Sequence, residues 1–220
     1  EPVVNPHYGY SGWACIRYGI GETLFKYSDS MELEPWLATE YENVDENTWT
    51  ITLRDGVTFT SGRVMDAEAV KECLDDLVNV HERAKGDLKI KGMTADGQTL
   101  TIETQEPVPA LINYLSDPYG CIIDMEAGVT DDGNVSATGP YQATKVETDK
   151  GLTLIKNEDY WNGTPHLDTI YVKTITDGDT MTMSMQSGEL DAAYGLPYAS
   201  LSLFENDPYT INNRHSVIGN

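Results

Sequence analysis

An alternating run at residues 48–54, TWTITLR, is the feature that most constrains the fold. Its apolar side chains fall on every second position, so an extended strand would place all of them on one face. The threonines between them suit a second face in contact with water. Asp55 and Gly56 favour a tight turn, and VTFT at residues 57–60 is predicted to return as the partner strand. The chain is therefore expected to contain an antiparallel sheet with one buried face.

A helix is predicted at residues 66–79, because Asp66 is a favourable N-cap and apolar residues follow at helical spacing. Cys73 lies in that apolar stripe, where a buried thiol is its ordinary role. Further elements are predicted as a hairpin at 88–104, a short helix after Pro109, strands near 140–147, 152–157 and 169–175, a helix near 179–187 and a strand near 190–194. Helices occur between strands without regular alternation, which indicates an α+β or mixed α/β fold.

The net charge of the chain limits the classes of molecule that it can be expected to bind. The 220 residues include 36 acidic and 14 basic side chains and carry a formal net charge of −22. Such a surface repels nucleic acid and anionic lipid headgroups, so neither is an expected partner. No apolar run approaches the ~20 residues of a membrane helix, and the first ten residues lack the features of a signal peptide.

The motifs for enzymes and cofactors are incomplete. The three cysteines form no CxxC pair, although one disulfide remains possible, and the four histidines are scattered. GIGETL at 19–24 lacks the third glycine of a dinucleotide loop, and DDGN at 131–134 does not extend into a calcium-binding loop. No cofactor, resident metal or catalytic residue is predicted. Acidic residues are so frequent that a hydrolase using an acidic pair stays open as an alternative, without any particular pair to support it.

Aromatic residues cluster near the start of the chain. Tyr8, Tyr10, Trp13 and Tyr18 surround Arg17, one of the few basic side chains. An arginine among aromatic rings can bind a carboxylate bidentately while the rings cover apolar parts of a ligand. Equally, Arg17 can be a surface residue lying over packed tyrosines.

Three blocks of sequence, in order, resemble the solute-binding proteins of peptide and nickel ABC importers. The first runs from NPHYGYSGWACIRYG at residue 5 to LATEYE at residue 42, and the second is TWTITLRDGVTFTSGRVMDAEAVK at 48–71. The third covers 138–195 and contains TGPY, NEDYWNG and GELD. The blocks extend over most of the chain. NEDYWNG, at 157–163, is expected to be a structural turn in proteins of this type.

The resemblance implies a periplasmic-binding-protein-like N-terminal lobe with an inserted α+β subdomain. Residues 1–27 and 136–220 would form the discontinuous main lobe, and residues 28–135 the insertion. Family members are about twice this length or more, so the second lobe is expected to be absent from this chain.

The implied function is extracytoplasmic capture of a peptide or metal chelate, nickel included, for delivery to an ABC permease. The protein would act in the periplasm, or at the cell surface as a lipoprotein, with any membrane tether through an N-terminal anchor missing from this chain. It would not be an enzyme; a secreted hydrolase using an acidic pair is the alternative. The segment 117–125 lacks an arginine found in nickel-chelate binders, which weakens that choice of ligand. The predicted ligand-binding residues are Tyr8, Trp13, Arg17, Arg83, Tyr194, Gly195 and Leu196.

Overall fold

The computed structural model describes residues 3–212. The helices are α1 Ser11–Arg17, α2 Ala67–Val80, α3 Glu82–Leu88, α4 Leu111–Leu115 and α5 Gly178–Gln186, with 3₁₀ turns at Pro118–Gly120 and Tyr198–Phe204. The strands are β1 Phe25–Tyr27, β2 Leu33–Pro35, β3 Ala38–Asp45, β4 Thr48–Leu53, β5 Ile90–Asp96, β6 Thr99–Thr104, β7 Tyr141–Glu147, β8 Gly151–Lys156 and β9 Thr169–Lys173. This mixture confirms the predicted α+β class. None of the helices in the described region has the length and apolar character needed to span a membrane.

The largest sheet has the strand order β3-β4-β6-β5, and all of its pairings are antiparallel. Burial alternates along β4, as the sequence pattern predicts, and Ile51 is fully buried opposite Leu100 of β6. The hairpin predicted at 88–104 is also confirmed, with β5 and β6 joined at Gly97, whose φ of 58° suits a residue without a side chain.

The strand predicted at residues 57–60 is wrong. Val57 and Phe59 are buried as an alternating pattern would require, but the segment joins no sheet and pairs through an isolated bridge between Thr58 and Val64. The neighbour of β4 is instead β3, which precedes it and pairs Tyr41 with Ile51. All of β3 except its first residue is exposed, so no alternation marked it as a strand.

The helix predicted at residues 66–79 is confirmed and corresponds to α2. Asp66 is its N-cap, and the Asp66 carboxylate accepts a hydrogen bond from the backbone nitrogen of Ala69 at 2.9 Å. The apolar stripe, which includes Cys73 and Leu77, is buried, and the helix packs on β5 and β6. The sheet and α2 therefore enclose one part of the hydrophobic core.

A separate three-stranded sheet contains the antiparallel strands β7 and β8, with β9 beside β8. The turn that follows β8 is fixed by a buried carboxylate far away in sequence. Glu22, 8 % exposed, accepts hydrogen bonds from Trp36 Nε1 at 2.7 Å, Thr138 Oγ1 at 2.8 Å, Tyr160 Oη at 2.7 Å and Trp161 Nε1 at 2.9 Å. Two of these donors, Tyr160 and Trp161, belong to the NEDYWNG segment, so this segment is a structural turn anchored to the start of the chain.

The chain forms two compact units, Glu1–Val172 and Lys173–Asn220. In the second unit, α5 begins after the N-cap Asp177 and ends before Gly188, in agreement with the predicted helix. The strand predicted at 190–194 is wrong, since these residues form bends and loop. The proposed insertion of residues 28–135 between 1–27 and 136–220 stays a prediction.

Candidate functional site

Aromatic side chains are exposed around the first helix. Tyr10 is 79 % exposed at the N-cap position of α1, and Trp13, in the first turn, is 53 % exposed. Tyr8 is also exposed in the preceding loop. The opposite side of the helix buries Gly12 and Cys15. Helix α1 thus has a packed face and a face that presents aromatic rings to solvent.

The position of α1 depends on close contact with the 3₁₀ turn Pro118–Gly120. A Cβ atom on Gly12 would lie 2.4 Å from the carbonyl oxygen of Pro118 and 2.9 Å from the nitrogen of Tyr119. Because both neighbours are backbone atoms, a larger residue could not fit without moving the helix. The packed face of α1 therefore rests directly on this turn.

Two histidines hold the loop that leads into α1. His7 Nδ1 lies 2.6 Å from Asp76 Oδ2 of α2, and burial lowers the pKa of His7 although the hydrogen bond to the Asp76 carboxylate opposes this shift. His81 Nδ1 accepts from the nitrogen of Ala84 at 3.1 Å. Since Nδ1 accepts, the ring proton lies on Nε2, which donates to the carbonyl oxygen of Gly9 at 3.1 Å.

Arg83 provides positive charge next to the aromatic rings. Its Nη2 donates to Asp117, and its Nε donates to Asp87 Oδ2 at 3.4 Å. The guanidinium carbon lies 5.1 Å from the centre of the Tyr119 ring, and Tyr119 Oη donates to Asp87 at 3.1 Å. Half of the Arg83 side chain remains exposed. Fixed in this way by two carboxylates and a ring, the guanidinium is preorganised with part of its surface in solvent.

These groups meet in one shallow depression. It is lined by Gly9, Tyr10, Gly12, Trp13, His81, Arg83, Asp117, Pro118 and Tyr119. Its internal space is about 10 Å³, close to the minimum for a single water molecule. The depression is therefore too small to enclose a solute by itself. It presents aromatic, cationic and anionic groups on an open surface. We call these nine residues the α1 surface.

The sequence predictions and the α1 surface overlap in part. Trp13 and Arg83 line it together, although 70 positions separate them in the chain. Tyr8 lies in the loop before α1, and Arg17 is exposed in the last turn of this helix. Asp117 and Tyr119 were not predicted, because no local pattern relates them to α1. The assignment of these residues to ligand binding stays a prediction.

The other predicted site residues belong to the second unit. Tyr194 is 77 % exposed, Leu196 is partly buried and Gly195 has a φ of 79°. They lie in the loop between α5 and the 3₁₀ turn Tyr198–Phe204. Tyr194 was expected at the end of a strand; it is instead a loop residue, as noted above.

One arrangement in the first unit has the order of a catalytic triad. Cys73 Sγ lies 3.4 Å from His7 Nε2, and His7 Nδ1 lies 2.6 Å from Asp76. Cys73 is almost completely buried, and burial raises the pKa of its thiol to about 12. The thiol is therefore protonated and inaccessible at neutral pH, whereas nucleophilic catalysis requires an accessible thiolate. This arrangement gives the hydrolase alternative no support.

Within residues 3–212, no group of three or more histidine, cysteine, aspartate or glutamate side chains is placed to hold a metal ion.

The α1 surface offers a ligand aromatic and charged side chains that are already in place on an α+β scaffold. Pre-formed surfaces of this kind are used by binding proteins. The family profile described as "Bacterial extracellular solute-binding proteins, family 5 Middle" matches residues 32–219. The chain belongs to this family of solute-binding proteins.

Solved structures share the fold closely. The nickel ABC transporter protein of Bacillus halodurans is 33 % identical with a TM-score of 0.87, covering 94 % of this chain and 43 % of that one. NikA of Staphylococcus aureus, solved in complex with Ni(L-His)2, is 30 % identical with a TM-score of 0.86, covering 94 % and 44 %.

Among curated relatives, the glutathione-binding protein GsiB of Salmonella paratyphi A is 33 % identical over 199 residues. The match covers 86 % of this chain and 39 % of GsiB. The chain thus spans about two fifths of the length of the relatives that it matches.

Proposed function

We propose that this protein captures a small solute outside the cytoplasmic membrane and delivers it to an ABC import permease, without catalysing a reaction. Membership of the solute-binding family supports the class of activity. The observation that carries the proposed site is the α1 surface, where exposed aromatic rings lie beside a fixed guanidinium and a carboxylate.

The chemistry of the α1 surface favours a solute built from amino acids, namely a short peptide or a metal chelate of amino acids. The half-exposed guanidinium of Arg83 can pair with an α-carboxylate, and Asp117 offers an acceptor for an ammonium group. Trp13 and Tyr10 can cover apolar or imidazole parts of the solute. NikA of Staphylococcus aureus was solved with Ni(L-His)2, and GsiB is a glutathione-binding protein, so the ligands of these two relatives belong to these two classes.

Nickel, if it is transported, would be cargo in a chelate. The absence of a three-residue metal cluster within residues 3–212 agrees with recognition of the organic ligands rather than the bare ion. We therefore expect nickel with histidine to bind more tightly than nickel alone.

Calorimetry on the whole protein tests this proposal, with dipeptides, glutathione, nickel–histidine and nickel alone as titrants. Trp13→Ala should weaken binding of the preferred solute by about 1–3 kcal/mol, as expected for a buried aromatic contact. Tyr171→Ala is the matched control, because Tyr171 is an exposed aromatic on β9, outside the α1 surface. Equal affinity of the Trp13 variant and the wild type would place the site elsewhere. Hydrolysis of the titrant would contradict the proposed function itself.

A further inference from the structure

Three thiols lie together under the packed face of α1. Cys15 on α1 and Cys121, directly after the 3₁₀ turn, are fully buried, and Cys73 of α2 is 1 % exposed. The Cys73 thiol lies 3.7 Å from the carbonyl oxygen of Cys121. The cluster therefore joins three elements that are remote in sequence.

Within this cluster, the sulfur atoms of Cys15 and Cys121 are neighbours. Both sulfurs also approach Gly21 closely: a Cβ on Gly21 would lie 2.5 Å from Cys15 Sγ and 3.1 Å from Cys121 Sγ. The space above Gly21 is thus occupied by two sulfur atoms that converge on the same point. A glycine is required there, since any side chain would displace one of them.

Cys73 is held by other partners. Its sulfur accepts a hydrogen bond from the nitrogen of Ile123 at 3.4 Å and lies 3.4 Å from His7 Nε2. These contacts direct the Cys73 thiol towards the His7 side of the cluster, so it is not the expected partner in a disulfide.

We propose that Cys15 and Cys121 form a disulfide when the chain folds in the presence of a disulfide-type oxidant, before the cluster is buried, leaving Cys73 as a thiol. A thiolate of one cysteine attacks the oxidant's S–S bond and releases one thiol. The second cysteine then displaces the remaining half of the oxidant. Two protons and two electrons leave the cysteines, the oxidant is reduced to two thiols, and one S–S bond forms. The bond would tie α1 covalently to the turn on which it rests.

The test uses the whole protein, unfolded, reduced and then refolded in a buffer of oxidised and reduced glutathione. Alkylation and peptide mapping by mass spectrometry should show a peptide containing residue 15 linked to one containing residue 121. Because the bond closes a loop of roughly 100 residues, the oxidised form should melt on the order of 10 °C higher than the reduced form.

Cys73→Ser is the control variant, and it should keep the 15–121 linkage. Cys15→Ser and Cys121→Ser should each lose the linkage and the difference in melting temperature. Linkage of Cys73 to either cysteine would overturn the proposal, and so would recovery of alkylated, unlinked Cys15 and Cys121 from refolded wild type. The proposal does not depend on which solute the protein binds.

Discussion

The indole nitrogen of Trp161 donates to Oε1 of Glu22 at 2.9 Å, although 139 positions separate the two residues. With the three other donors, this contact ties the NEDYWNG turn to the segment between α1 and β1. A buried carboxylate with four donors is fully used as an acceptor, and its loss would leave several buried donors without partners.

Glu22→Gln should therefore lower the free energy of unfolding by about 2–4 kcal/mol, because the amide nitrogen presents N–H groups to other donors. Urea denaturation measures the change. Glu34→Gln, at an exposed position in β2, is the control and should stay within about 0.5 kcal/mol of wild type. A loss of similar size in both variants would contradict the role assigned to Glu22.

Gly21→Ala should destabilise the protein by about 1–3 kcal/mol, since the new methyl group would overlap the sulfur of Cys15. Gly86→Ala, in α3, is the control with an opposite expected result, because no atom beyond the backbone of the helix itself lies within 4 Å of the added carbon. Alanine is the better helix former, so this variant should gain about 1 kcal/mol. Thermal melts of the two variants under reducing conditions compare them, and a stable Gly21→Ala protein would show that the thiol cluster is loosely packed.

Acidification should destabilise the loop before α1 through His7. The unfolded chain takes up a proton near the ordinary histidine pKa of 6.5, whereas burial lowers the pKa of the folded His7. The unfolded state then binds more protons as the pH falls below 6.5, so the free energy of unfolding decreases until the pH passes the folded pKa. Urea unfolding between about pH 7.5 and about pH 5 should show a contribution of at most about 1.4 kcal/mol per pH unit. His7→Gln should remove this contribution, and the exposed His166→Gln should retain it; identical slopes in His7→Gln and wild type would refute the assignment.

Two of the predicted contacts outside the α1 surface, Arg17 and Tyr194, have their own test. Arg17→Ala and Tyr194→Ala in the whole protein should each weaken solute binding by about 1–3 kcal/mol if they contact the ligand. Circular dichroism confirms that both variants fold. Unchanged affinity in both would remove these residues from the site.

Local patterns in the sequence were sufficient for β4, α2 and the β5–β6 hairpin, because burial on one face imposes a period that a short window contains. β3 was missed for the opposite reason: its side chains are exposed on both faces, and its place depends on hydrogen bonds to β4. Residues 57–60 have the burial pattern of a strand without the pairing. The spacing of apolar residues indicates which side chains are buried, but it does not show which segments pair as strands.

The α1 surface was predicted in part. Trp13 was identified from a local cluster of aromatics, and Arg83 from the resemblance to the solute-binding family. Asp117 and Tyr119 join them through the contact between Gly12 and the Pro118 backbone, and a tertiary contact of this kind leaves no periodic signal in the chain.

Strand β3 lies at the edge of its sheet and carries Glu40, Glu42 and Asp45 on an exposed surface. An unpaired strand edge is a template to which another molecule can add a strand. Two copies approaching through this edge would bring rows of carboxylates together and repel each other. The acidic edge of β3 thus acts against the addition of a strand from another copy of the chain.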